Sequence, residues 1–170
     1  MVRTFWNRRE ETVEEKNILC VTERLIVRRF EAGDLEELYG LLSDSKVMEC
    51  LEPPYTYEQS GEFLRIAGLA DPPLIYAVED KTGSFAGYVI YHDYGKNSVE
   101  LGWVLNPKHW GKGYAHELTG ALLTRAGDKY SFAVIECVPR QEATQAIARK
   151  NGFSYLGTED GCQVYQKKLK

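Results

Sequence analysis

Apolar and polar positions along this chain keep two different rhythms. Leu25, Val27 and Arg29 alternate with Ile26, Arg28 and Phe30, which predicts an opening strand from Glu23 onward. The same two-residue period returns in Leu74–Glu79, Phe85–Tyr91 and Val99–Leu105. These runs are separated by the turn-forming groups Lys81-Thr82-Gly83 and Tyr94-Gly95-Lys96-Asn97, so they read as three consecutive strands joined by hairpins. Phe132–Val138 reads as a fifth strand ended by Pro139, and Phe153–Leu156 with Gln163–Leu169 as a closing pair around Asp160-Gly161. Helical spacing occupies the gaps. Asp34 followed by Glu37 predicts a capped helix through Leu41-Leu42; Thr56 predicts the cap of a second, with Phe63, Ile66 and Ala67 on one side. Ala115, Leu118, Ala121, Leu122, Leu123 and Ala126 form an apolar stripe, and a short helix over Ala143–Lys150 stops at Asn151-Gly152.

The segment joining the fourth strand to the long helix carries the strongest chemical signal. Asn106-Pro107 ends the strand, and Trp110-Gly111-Lys112-Gly113 leads straight into the helix. Glycines flanking one residue let a backbone approach a ligand without Cβ obstruction, and the first turn of a helix offers N–H groups with no internal partner. Together these suit an anion such as a diphosphate, although paired glycines also serve simply to turn a chain. The known nucleotide fingerprints fail: Gly113 is followed by Tyr114 rather than Lys-Ser/Thr, and His116 stands where a dinucleotide motif needs its third glycine.

Composition narrows the setting. A chain of 170 residues with 44% hydrophobic content buries one core, so a single domain is expected over residues 21–170, after an extension over residues 1–20 rich in charge blocks such as Arg8-Arg9 and Glu14-Glu15. A net charge of −4 argues against a nucleic-acid partner. No apolar run reaches membrane-spanning length, and Met1–Asn17 lacks the core of a secretory signal, so no membrane association and a cytoplasmic location are expected. Cys20, Cys50, Cys137 and Cys162 are scattered, which predicts neither a metal site nor a disulfide framework. Glu31 to Glu62 holds nine acidic residues against one basic, Lys46. Such a run is either a solvated helix surface or a rim that attracts a cation.

Pro107 to Ala115 resembles the acyl-CoA pyrophosphate loop of the GNAT N-acetyltransferases, written Arg/Gln-x-x-Gly-x-Gly/Ala, with Lys108 in the Arg/Gln place. Ala115-His116-Glu117 and Thr22 to Arg28 are similar to phrases of the branch containing the ribosomal-protein N-terminal acetyltransferases. The resemblance implies an α/β fold (α+β in some schemes): a mixed, mostly antiparallel central sheet flanked by helices, with acyl-CoA at the opening between the fourth and fifth strands. It implies direct acetyl transfer from acetyl-CoA, a co-substrate, to a primary amine on a protein N-terminus or small molecule, by a monomer or homodimer without metal. The acidic run would then border the acceptor pocket and suit a cationic acceptor.

The cofactor residues implied are the backbone of Trp103, Val104 and Leu105, the loop Lys108, His109, Trp110, Gly111, Lys112, Gly113, Tyr114 and Ala115, and Gln141 with Thr144. The last two depart from the family's Asn and Ser; Gln141 keeps the amide one methylene further out. The tyrosine that often protonates the departing thiolate is replaced by Ala148. These departures leave open a catalytically silent acyl-CoA-binding or regulatory domain. For chemistry, Glu100 is the only carboxylate of the fourth strand and the candidate base, with a structural ion-pair role as its alternative. His92 is second, by virtue of its ordinary pKa.

Overall fold

The computed structural model describes residues 17–170. Most of the extension expected over residues 1–20 lies outside them. Its last residues do not: Ile18–Val21 form strand β1, which pairs antiparallel with β2, Leu25–Arg28, across the turn at Thr22–Arg24. A four-residue apolar run behind a charged stretch is too short to show a period, so this strand was not expected.

Six further strands follow as the alternation predicts: β3 Ile75–Asp80, β4 Phe85–Asp93, β5 Ser98–Leu105, β6 Phe132–Cys137, β7 Ser154–Glu159 and β8 Cys162–Lys168. They form one sheet in the order β1-β2-β3-β4-β5-β6-β8-β7, antiparallel everywhere except between β5 and β6. The opening expected between the fourth and fifth strands therefore concerns β5 and β6.

Helices cover both faces, because each side of the sheet carries its own apolar cluster. On one face lie α1, Leu35–Leu42, the short α2, Ser45–Met48, and α3, Tyr57–Phe63, with the π-helical turn Leu64–Gly68 that continues it, burying Leu38, Leu41, Leu42, Val47 and Leu64 against Ala77, Tyr88 and Val104. The other face packs α4, Tyr114–Gly127, through Leu118, Leu122 and Ala126 onto Val27, Val89, Val99 and Leu101. Helix α5, Glu142–Lys150, adds Ala148 to that second cluster. Its end is a Schellman closure: Gly152, at φ +83°, donates its N–H to Arg149 and Phe153 donates to Ala148.

Two caps separate expectation from structure. Thr56 does cap α3, its hydroxyl accepting from the Gln59 amide at 3.2 Å while the Gln59 side chain accepts from the Thr56 amide at 2.8 Å. Asp34 does not cap α1. Its carboxylate accepts instead from both terminal nitrogens of Arg28, at 2.8 and 2.9 Å, and from the Glu31 amide at 2.8 Å, because an arginine from the adjacent strand outcompetes a neutral amide. The acidic run is partly consumed in this way: Asp44 caps α2, Glu36 accepts from Tyr57, Glu52 from Tyr55, and Glu62 pairs with Arg65.

The glycine with the least room for a side chain sits opposite the end of β5. Gly87 has φ +146°, and a Cβ there would lie 2.1 Å from the Val104 carbonyl oxygen and 2.9 Å from the Leu105 Cα. Both obstacles are backbone, so neither can swing away. Gly87→Ala should lower stability by about 3 kcal/mol, from overpacking and a φ that alanine resists. Urea denaturation measures it; a loss below about 1 kcal/mol would contradict this packing, since that is the range of unstrained substitutions.

Candidate active site

The central feature is a parting of two parallel strands. β5 and β6 pair at Ser98 with Phe132, Val99 with Ala133 and Glu100 with Val134, and nowhere beyond. Each strand nevertheless continues, held on its far side: β5 to Leu105 by β4, and β6 to Cys137 by β8. Leu101–Leu105 therefore present a strand edge to the opening, with backbone donors and acceptors available for an extended ligand to bond as another strand would. Trp103 and Leu105 pack toward the α4 face, while Val104 is buried against the α1 and α3 side.

At the far end of that edge stands the glycine loop. Asn106 accepts from the Lys108 amide at 3.2 Å and so sets the turn Pro107–His109; Trp110 donates its indole N–H to the Leu105 carbonyl at 2.9 Å. Gly111 and Gly113 have φ of +73° and +79°. A Cβ on Gly111 would meet nothing within 4 Å, which leaves open space in front of the loop. Helix α4 starts at Tyr114 without a side-chain cap, and its first internal bond at this end is Glu117 N–H to Gly113. The amides of Tyr114, Ala115 and His116 accordingly lack helical acceptors. Lys108 and Lys112 are exposed beside them. His109 is instead buried, stacked on Tyr114 with ring centroids 5.2 Å apart, and neither ring nitrogen has a partner among the described residues. Burial first, and the nearby Lys108 and Lys112 second, hold its pKa below the ordinary value, so it serves as a neutral wedge under the loop.

The two candidate bases turn out to be one unit. His92 and Glu100 are direct cross-strand partners on β4 and β5, and His92 Nε2 lies 3.0 Å from Glu100 Oε2. The other ring nitrogen, Nδ1, lies 2.9 Å from the Asp93 carbonyl oxygen. An imidazole with an acceptor at each nitrogen is best satisfied when it carries both protons. The Glu100 bond above all, then the Asp93 carbonyl, raises the His92 pKa despite partial burial. Glu100 is also the last residue at which β5 and β6 are paired, so the dyad stands at the apex of the opening, on the sheet face covered by α1 and α3. Two residues further along β6, on the same side of that strand, Glu136 accepts from the Tyr94 hydroxyl, and this bond pushes Tyr94 up to about 12.

Gln141 is drawn the other way. Its side-chain oxygen accepts from the Val138 amide at 2.8 Å, closing the turn between β6 and α5, and only its NH2 is left to face a ligand. Thr144 lies partly exposed one residue into the helix from Ala143. Among the described residues, no cluster of three or more His, Cys, Asp or Glu side chains is arranged to hold a metal ion.

The chain that builds this strand edge and uncapped helix matches the family model of the acetyltransferase (GNAT) domain over residues 24–154. The chain belongs to the GNAT acetyltransferase family. The match takes in β2 through the first residue of β7 and leaves β1 outside. Similar to this GNAT chain is the uncharacterized N-acetyltransferase YnaD of Bacillus subtilis, 29% identical over an alignment of 148 positions that covers 83% of this chain and 85% of that protein. A GNAT acetyltransferase of Bacillus anthracis superimposes with a TM-score of 0.80 at 26% identity, covering 88% of this chain and 97% of that one. RimL, the ribosomal L7/L12 alpha-N-protein acetyltransferase solved in complex with coenzyme A, superimposes at 0.77 with 20% identity, over 89% and 97% of the two chains.

Proposed function

We propose that this GNAT domain moves an acetyl group from acetyl-CoA directly to a primary amine, with the α-amine of a protein or peptide N-terminus as the acceptor class. The observation that carries the proposal is the geometry of the β5/β6 opening: an anion-binding loop at one end and a carboxylate–imidazole pair at the other, joined by one free strand edge. Diphosphate at the amides of Tyr114–His116 anchors the cofactor, with Lys108, Lys112 and the rest of the Lys108–Ala115 loop around it. The pantetheine arm then follows the backbone of Trp103–Leu105 toward the apex, with Gln141 NH2 and Thr144 across from it. Binding energy far from the reacting carbon orients the thioester.

At the apex the chemistry is modest. The amine must be neutral to attack the carbonyl carbon. Carbon–nitrogen bond formation and carbon–sulfur cleavage then release CoA thiolate, which takes a proton from water or from the ammonium as it forms. Glu100, one oxygen held by His92, offers the other to the amine or to a water beside it. A carboxylate is a weak base, which is sufficient for an α-amine whose pKa is near 7.7 to 8.0. RimL, named for acetylating an α-amine, supports this choice through fold alone. A cytoplasmic location is supported by four cysteines that are all free. No helix among the described residues is long and apolar enough to cross a membrane.

The test is thiol release from acetyl-CoA against a panel of peptides with free N-termini, the same peptides N-blocked with a lysine, polyamines and aminoglycosides. Turnover highest with free N-termini is the expected result. Preference for polyamines or aminoglycosides would overturn the acceptor class, and CoA binding without turnover on any amine would leave a silent acyl-CoA-binding domain.

A further inference from the structure

Two phrases of the sequence that lie more than ninety residues apart meet in one clamp. Glu117, in the first turn of α4, accepts on Oε1 from the Thr22 hydroxyl at 2.6 Å and the Arg24 amide at 2.9 Å. Its Oε2 accepts from Arg24 Nε at 2.7 Å and makes an ion-pair contact with Arg24 Nη2, also at 2.7 Å. Burial works against the charged carboxylate, but these bonds outweigh it and hold the Glu117 carboxyl below its ordinary value. The guanidinium also lies over the Tyr114 ring, 4.5 Å from its centroid, and its Nη2 is 3.6 Å from where a Gly113 Cβ would be.

A carboxylate in the first turn of an anion-binding helix is a puzzle on its own, since it opposes the ligand's charge at the place where the helix dipole favours it. The clamp resolves this. Arg24 offsets the Glu117 charge, and the Nε hydrogen bond with the Nη2 ion-pair contact fixes a guanidinium beside the glycine loop instead of leaving it to swing in solvent. Of the five guanidinium N–H groups, Glu117 engages those on Nε and Nη2; among the described residues nothing accepts from Nη1. The side chain as a whole is 42% exposed, which leaves room for a ligand beside the guanidinium.

We infer that Arg24, delivered by the β1–β2 turn, is a third cation of the cofactor's phosphate site beside Lys108 and Lys112, and that Thr22 and Glu117 are the positioning residues that hold it there. This rests on the acetyl-CoA reading above and deepens it. It adds a residue from outside the strand–loop–helix segment, and it gives the Thr22–Arg28 and Ala115–Glu117 phrases a common physical purpose.

The experiment compares wild type, Arg24→Gln, Arg24→Lys and Glu117→Gln by calorimetric titration with CoA and by kcat/KM with acetyl-CoA and with S-acetyl-pantetheine, which carries no phosphate. Arg24→Gln is expected to weaken CoA binding by tenfold or more, the scale of a lost hydrogen bond to a charged group. Its kcat/KM should fall by a similar factor with acetyl-CoA and by less than twofold with S-acetyl-pantetheine. Arg24→Lys keeps the charge without the fork and should fall between wild type and Arg24→Gln; it also serves if Arg24→Gln does not fold. Glu117→Gln frees the guanidinium and should raise KM for acetyl-CoA more than it lowers kcat. Equal losses with both thioesters, or CoA affinity unchanged in Arg24→Gln and Arg24→Lys, would make the clamp purely structural and overturn the inference alone. Wild type that binds no CoA would remove the proposed function, and Arg24's role with it.

Discussion

Gly111→Asp should abolish measurable CoA binding while leaving a folded protein that melts close to wild type. Two facts make this the cleanest substitution in the site. The position has φ +73°, a left-handed conformation that Asp tolerates better than most residues, and a Cβ there meets no atom within 4 Å. Stability therefore changes little. The new carboxylate stands in front of the unpaired amides of Tyr114–His116, where the proposed diphosphate would lie. A pair of like charges about 4 Å apart repel by about 1 kcal/mol in water and about 4 near a protein surface, and a diphosphate brings more than one charge, so a loss of roughly 10³ in affinity is the expected scale. Gly113→Glu tests the same site less cleanly, because Arg24 lies 3.6 Å from the added Cβ and can pair with the new side chain. Calorimetric titration with CoA beside a thermal melt separates the outcomes. Wild-type affinity in a folded Gly111→Asp protein would remove the loop from the cofactor site.

What the sequence disclosed, it disclosed where the physics is local. Alternation in Val99–Leu105, glycines at Gly111 and Gly113 and the Asn151-Gly152 stop are each settled by a few neighbouring residues, and each element was legible. The Thr56–Gln59 box was legible for the same reason. Asp34 was not, because its choice between a helix amide and Arg28 depends on where β2 lies. His92 and Glu100 were each visible as titratable groups near the right strands. Their pairing was not, since it follows from the register of β4 against β5 rather than from either residue's neighbours. The Arg24–Glu117 clamp is the extreme case: each half stood in a recognisable phrase, yet nothing along the chain joins residues 93 positions apart. Gln141 shows the reverse. Its amide looked suited to a ligand, and the folded turn spends its oxygen on Val138.

The His92–Glu100 pair also predicts how the enzyme's pH dependence divides between protein and acceptor. His92 has a folded pKa raised above its unfolded value, so the pair's contribution to stability is complete below the unfolded pKa and is lost as pH rises through the folded one. Removing the carboxylate in Glu100→Gln should therefore return the His92 titration, followed by NMR of the ring protons, toward the ordinary value near 6.5. The kinetic effect depends on the amine. At pH 7 an α-amine with pKa near 7.7 to 8.0 needs about 1 to 1.4 kcal/mol to shed its proton, whereas a lysine-like amine near 10.4 needs about 4.6. With an α-amine acceptor, Glu100→Gln should lower kcat/KM by about tenfold at neutral pH, and raising the pH should restore most of it, because solvent then deprotonates the amine. A basic amine would suffer on the order of 10² to 10⁴ from the same change, with little rescue below pH 9. Profiles of wild type and Glu100→Gln that superimpose across pH, while the His92 titration shifts as expected, would show that the pair is built for the fold and not for proton transfer; the base would then be sought at Glu136, held by Tyr94 on the same face of the opening.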